Sequence, residues 1–125
     1  IRAIFYYKLH PSTAGTGGAN SVCWAINGTT YSNTNDITVA QNSNWQNITD
    51  TVDNSVAALQ VSPPTPDITV DGTHEAGGTS LLPSLVFFRV SRDVSADDYG
   101  NDARLLGVAL QYRERVASEV QWSTP

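Results

Sequence analysis

Two segments near the end of the chain, Leu85 to Arg92 and Arg104 to Arg113, alternate apolar and polar side chains along their length, the two-residue period of a β-strand. No helical period of comparable length competes with them elsewhere, so the expected class is all-β. In the second segment Leu106, Val108, Leu110 and Tyr112 are expected to face inward and Gly107, Ala109, Gln111 and Arg113 outward. A slip of one residue would invert that burial, which specifies the register. In the first segment Val86, Phe88 and Val90 form the core side. Leu85 and Phe87 leave an apolar patch on the other side before Arg89 and Ser91 restore polarity. Covering Phe87 with a neighbouring subunit would contribute about 2 kcal/mol per chain.

The start of the chain carries the same signal. Ala3, Phe5, Tyr7 and Leu9 share one face, and Arg2, Ile4, Tyr6 and Lys8 share the other. Ile4 and Tyr6 make that second face more apolar than water requires, and it is expected to pack on another chain. A Gly-rich turn from Pro11 to Gly18 and a second strand from Ser21 to Ile26 predict a hairpin. Between Asn27 and Asp53 only Ile37-Thr38-Val39 and Trp45 to Ile48 interrupt Asn-, Ser- and Thr-rich sequence, as two short strands or edge segments. Val56 to Val61 reads as a strand in preference to a helical turn, stopped by Pro63-Pro64. Ile68-Thr69-Val70 alternates briefly before the Gly-rich loop Gly72 to Thr79. Short strands punctuated by turns predict an antiparallel β-sandwich of about seven or eight strands. Residues 1–113 form the expected domain and 114–125 a C-terminal arm. Ile1 is not Met and the strand pattern is under way by Arg2, so further strands are expected upstream.

Length and charge narrow the function. The 125 residues, 40% of them hydrophobic, suffice for a single core. Seven basic against twelve acidic residues, a net charge of -5, argue against a phosphate-binding surface and hence against nucleic acid as a partner. Only 15% of residues are charged, and the polarity supplied by Ser, Thr, Asn and Gln suits an extracellular or particle surface. No run approaches the about 18 apolar residues of a membrane span.

Catalytic chemistry finds no foothold. Cys23 lies in the apolar run Ser21 to Ile26, and neither His10 nor His74 stands where it would activate a thiolate. Glu75, Glu114 and Glu119 do not select a facing carboxylate pair, and no nucleophile elbow, zinc helix or phosphate loop is present. Asp93, Asp97, Asp98 and Asp102 crowd one connection, but their spacing departs from a calcium loop. They are expected in a solvated turn, Asp93 or Asp102 capping amides or pairing with Arg92 or Arg104. No cofactor or metal is implied. Asn27-Gly28-Thr29 and Asn47-Ile48-Thr49 fit the glycosylation triplet, a frequent chance occurrence in so Asn-rich a chain. Tyr31, Trp45, Tyr99 and Trp122 are candidates for stacking on a sugar ring, though for Trp45 and Trp122 packing in the fold or against a neighbouring subunit is the preferred reading; Trp24 belongs to the core, and Trp122 is a candidate for a subunit interface alongside Ile4, Tyr6, Leu85 and Phe87.

The segments Leu85 to Asp93 and Asp97 to Tyr112, with Phe87-Phe88-Arg89-Val90 and Asp102-Ala103-Arg104-Leu105-Leu106-Gly107-Val108 at their centres, resemble the C-terminal strand pair of tailed-bacteriophage virion proteins. Ala3 to Tyr7 and Ser21 to Ala25 are similar to a more variable hairpin of the same proteins, so that the resemblance covers about half of the chain. It implies a jelly-roll-like domain on the particle surface, homotrimeric, decorating or cementing the capsid or forming part of a tail fibre. Its expected partners are further copies, the major capsid or tail proteins, and for a receptor-binding fibre module a host surface glycan. It carries over no catalytic residue.

Overall fold

The computed structural model describes residues 1–10, 20–31, 44–52, 58–69, 85–116 and 119–123, with side chains for all but 30–31 and 114–123. Within them lie β1 (Arg2–Leu9), β2 (Asn20–Tyr31), β3 (Gln46–Val52), β4 (Leu59–Val61), β5 (Leu85–Arg92), β6 (Ala103–Val116) and β7 (Glu119–Ser123). They form two antiparallel sheets, ordered β4-β1-β6-β7 and β3-β2-β5, with no helix among the described residues. The fold is therefore all-β, with the inner faces of the two sheets meeting in one core as in a β-sandwich. The turn at Pro11 to Gly18, the Ile37-Thr38-Val39 island, the Gly72 to Thr79 loop and His74 lie outside the described residues.

β1 fulfils its alternation. Ala3, Phe5 and Tyr7 are wholly buried and Leu9 nearly so, while Ile4 and Tyr6 are half-buried on the outer face. The expected hairpin with β2 is not formed. β1 pairs with β6 and β2 with β5, so β1 and β2 lie in different sheets and face each other across the core. Phe5 stacks on Trp24 at 5.7 Å between ring centroids, and Tyr7 meets the same indole edge-on at 5.6 Å. β2 is apolar on both sides, and Val22 to Thr29 are buried without a break. Such a strand belongs at the centre of a sheet, between β3 and β5, and proximity in sequence to β1 does not outweigh that. The Tyr7 hydroxyl ties the sheets together by donating to Asp50 Oδ2 at 2.8 Å. Burial, and then this hydrogen bond, push its phenol well above the usual range.

A β-bulge corrects the expected parity of β6. Opposite β1, Tyr6 pairs with Gly107 but Tyr7 pairs with Leu105, leaving Leu106 as the extra residue. Ala103, Val108 and Leu110 reach the core, whereas Leu106 is 61% exposed rather than inward. Tyr112 is also exposed, because the pairing with β1 ends at Gln111. From Tyr112 onward β6 pairs instead with β7, so the tail is a two-stranded ribbon extending past β1.

β4 ends before Pro63, as expected, yet its edge of β1 stays fully hydrogen-bonded. Ser62 and Thr65 donate backbone N–H groups to the Phe5 and Ala3 carbonyls, at 3.0 and 2.9 Å. Their hydroxyls accept from the Phe5 and Ala3 N–H groups, both at 3.0 Å. Side-chain oxygens thus supply acceptors along a segment that Pro63, Pro64 and Pro66 keep out of a regular ladder. Thr65→Val, nearly isosteric, leaves the buried Ala3 N–H without an acceptor and is expected to cost about 1–3 kcal/mol in a denaturant titration. A loss indistinguishable from zero would mean that this hydroxyl is dispensable.

Candidate functional site

The acidic connection between β5 and β6 is built around Arg92. Its guanidinium pairs bidentately with Asp97 at 2.5 and 2.9 Å and donates to the Asn101 and Tyr99 carbonyls at 2.7 and 2.5 Å. The Asp97 side chain is only 3% exposed, so the partner of Arg92 is this buried carboxylate, while Asp93 takes the other role expected of it and caps a backbone amide, that of Ser95. Asp98 accepts from the backbone N–H of Ser21 and, at 2.8 Å, from the Ser21 hydroxyl; these bonds hold its carboxyl below the usual range. Asp93 accepts from the Ser95 hydroxyl and N–H at 2.6 and 3.1 Å and is likewise lowered, chiefly by Ser95. The acids thus organise the loop, and among the described residues no three His, Cys, Asp or Glu side chains converge to hold a metal.

That loop also settles one of the aromatic candidates. Tyr99 is 5% exposed, its ring in the core and under the Arg92 guanidinium, too covered for a sugar to stack on it. Trp24 is core, as expected, and its indole N–H is the one buried side-chain polar atom without a hydrogen-bond partner among the described residues. Cys23 is a buried free thiol. Asn27, first residue of one glycosylation triplet, is 1% exposed and offers no surface to a glycan chain. Tyr31 ends β2 and Trp122 lies in β7 opposite Arg113, and the side chains of both fall outside the described residues.

Apolar side chains remain on the outer faces of both sheets. On one, Leu59 and Val61 of β4 and Leu106 of the bulge are about half or more exposed around the half-buried Ile4 and Tyr6. Val61 stands opposite Tyr6 in the ladder, and Gly107, with open space where a side chain would be, stands opposite Tyr6 on the other side. On the other sheet Leu85 and Phe87 are 61% and 47% exposed. Sequence reasoning expected Ile4, Tyr6, Leu85 and Phe87 outward. It missed Leu59, Val61 and Leu106, whose direction depends on which strand they meet and on the bulge.

The outer face of β3-β2-β5 also carries a hollow of about 380 Å³ lined by Ala25, Trp45, Asn47, Ser91, Arg92 and Asp93. Register explains it. Ala25 pairs with Asn47 on one side and with Ser91 on the other, so a methyl group forms the floor between two longer polar side chains. At one end the Arg89 guanidinium lies over the Trp45 indole, 4.4 Å from its centroid. At the other, Asp93 Oδ2 accepts from the Asn47 amide at 3.0 Å. No protein-family model, curated protein or solved structure matches the chain.

Proposed function

We propose that this chain is a non-enzymatic structural protein of the surface of a tailed-bacteriophage virion, a jelly-roll-like sandwich that assembles as a homotrimer to decorate or stabilise the capsid or to form part of a fibre. The observation that carries the reading is the pair of apolar outer faces, Leu59, Val61 and Leu106 on one sheet and Leu85 and Phe87 on the other. Large apolar side chains clustered in water mark surfaces made for a partner. Symmetric copies of one chain are the commonest such partner, and neighbouring capsid or tail proteins cover what the copies leave. The connectivity supports the jelly-roll: the antiparallel pairs β1–β6 and β2–β5 place the first two strands and their later partners in opposite sheets, as when one long ribbon is rolled over a core. The resemblance of Leu85 to Tyr112 and of the opening strands to phage virion proteins supplies the setting.

Sedimentation equilibrium over a wide concentration range tests the assembly. The expected result is a species of three times the 13.4 kDa chain mass, persisting on dilution. A monomer at every concentration would defeat the proposal.

A further inference from the structure

The hollow over Ala25 has a role that covered apolar faces do not explain, because its rim is polar and its floor is set by one small residue. From the geometry we infer that it binds a neutral saccharide, with a sugar ring against the Trp45 indole and its hydroxyls on Asn47, Ser91 and Asp93. Four features carry this assignment.

Trp45 is half-buried, and the cation stacked over one side of its indole holds the ring in place before a ligand arrives and leaves the part that lines the hollow to receive it. Asn47 directs one amide N–H to Asp93, which leaves its second N–H and its carbonyl oxygen for a ligand. The Ser91 hydroxyl makes no hydrogen bond among the described residues and stands two strands away, across Ala25. Asp93 is tied by Ser95 on one oxygen and by Asn47 on the other, so the carboxylate is positioned and Oδ2 keeps a vacant lone pair. Donors and acceptors thus alternate around a hollow of about 380 Å³, the pattern that a sugar hydroxyl satisfies because it donates and accepts at once. Arg92 is committed to Asp97, and the Arg89 cation and the Asp93 carboxylate offset each other at the two ends, so the rim carries no net charge and suits an uncharged sugar.

The occupant is tested with methyl glycosides of glucose, galactose and mannose, and with methyl glucuronide as the acidic counterpart. Each is titrated at millimolar concentration into the isotopically labelled protein while amide and indole N–H resonances are followed. The expected result is saturable movement of the Trp45 indole N–H, the Asn47 side-chain amide and the Ala25 amide with at least one neutral glycoside. Trp45→Ala is expected to abolish it. Asn47→Ala and Ser91→Ala, exposed positions whose truncation spares the core, are each expected to weaken it about tenfold or less, as the loss of one or two hydrogen bonds requires. Lys8→Ala, at an exposed position of the opposite sheet, is expected to leave it unchanged. The assignment is overturned if none of the neutral glycosides gives saturable shifts, if both rim variants bind as the unaltered protein does, or if methyl glucuronide binds more tightly than all three.

Discussion

Arg92→Met is expected to lower the stability of the fold by about 3 kcal/mol, the low end of the range for breaking a buried ion pair. The Arg92 side chain is itself 17% exposed, which moderates the loss, but Asp97 at 3% has almost no access to water to replace it. Removing the cation strands a carboxylate together with the Tyr99 and Asn101 carbonyls, all of which face the same guanidinium. Because Tyr99 packs in the core and its backbone N–H bonds to the Ser21 carbonyl, loosening the loop reaches β2 directly. Equilibrium unfolding in guanidinium chloride measures the loss. Adding Asp97→Asn to Arg92→Met should recover part of it, since a neutral amide tolerates the site better than an unpaired charge. A single variant within about 0.5 kcal/mol of the parent, the usual range for an inconsequential surface change, would show that the loop does not depend on this pair.

Phe87→Asp is expected to convert the proposed trimer into a monomer. Covering Phe87 contributes about 2 kcal/mol per chain, so three copies account for about 6 kcal/mol, and their loss weakens association by about four orders of magnitude. A buried carboxylate at the interface would add to that cost. The fold itself should stand, since Phe87 is half in water within the single chain. Leu106→Glu makes the same test on the opposite sheet. If the copies meet through the β1 and β4 face instead, this second variant dissociates the oligomer and Phe87→Asp does not. Unchanged mass for both variants in light scattering would show that neither apolar face holds the copies together.

The strands whose two faces differ most were legible from the chain alone. β1 places its four inner residues where the alternation puts them, because Ala3, Phe5, Tyr7 and Leu9 carry no charge among them whereas Ile4 and Tyr6 share their face with Arg2 and Lys8. The parity of β6 was not legible at its start, since Leu105 and Leu106 are equally apolar and only pairing with Tyr6 and Tyr7 decides which one becomes the bulge. β4 carries a similar ambiguity. Gln60 turns inward opposite Tyr7, leaving Leu59 and Val61 to the solvent, against the preference their hydrophobicity expresses. Of the candidate site, Trp45 was visible as an aromatic in a polar stretch. Its neighbours were not, because Ala25, Asn47 and Ser91 are far apart in sequence and meet only through two ladders. Their outward parity on β2, β3 and β5 was the one signal available, and it needed the strand order to be read.

The three prolines beside β1 bear on how such a chain survives crowding during its own synthesis. A lone chain with greasy sheet faces risks stacking strand upon strand into a fibril, and that growth requires an edge whose amides and carbonyls are vacant. Here the β1 edge beyond β4 is closed by Ser62, Thr65 and the prolines between and after them, with the acceptors supplied from hydroxyls. Along this stretch an incoming strand finds the β1 ladder groups already taken, which blocks open-ended growth there and leaves the flat faces for the assembly proposed above.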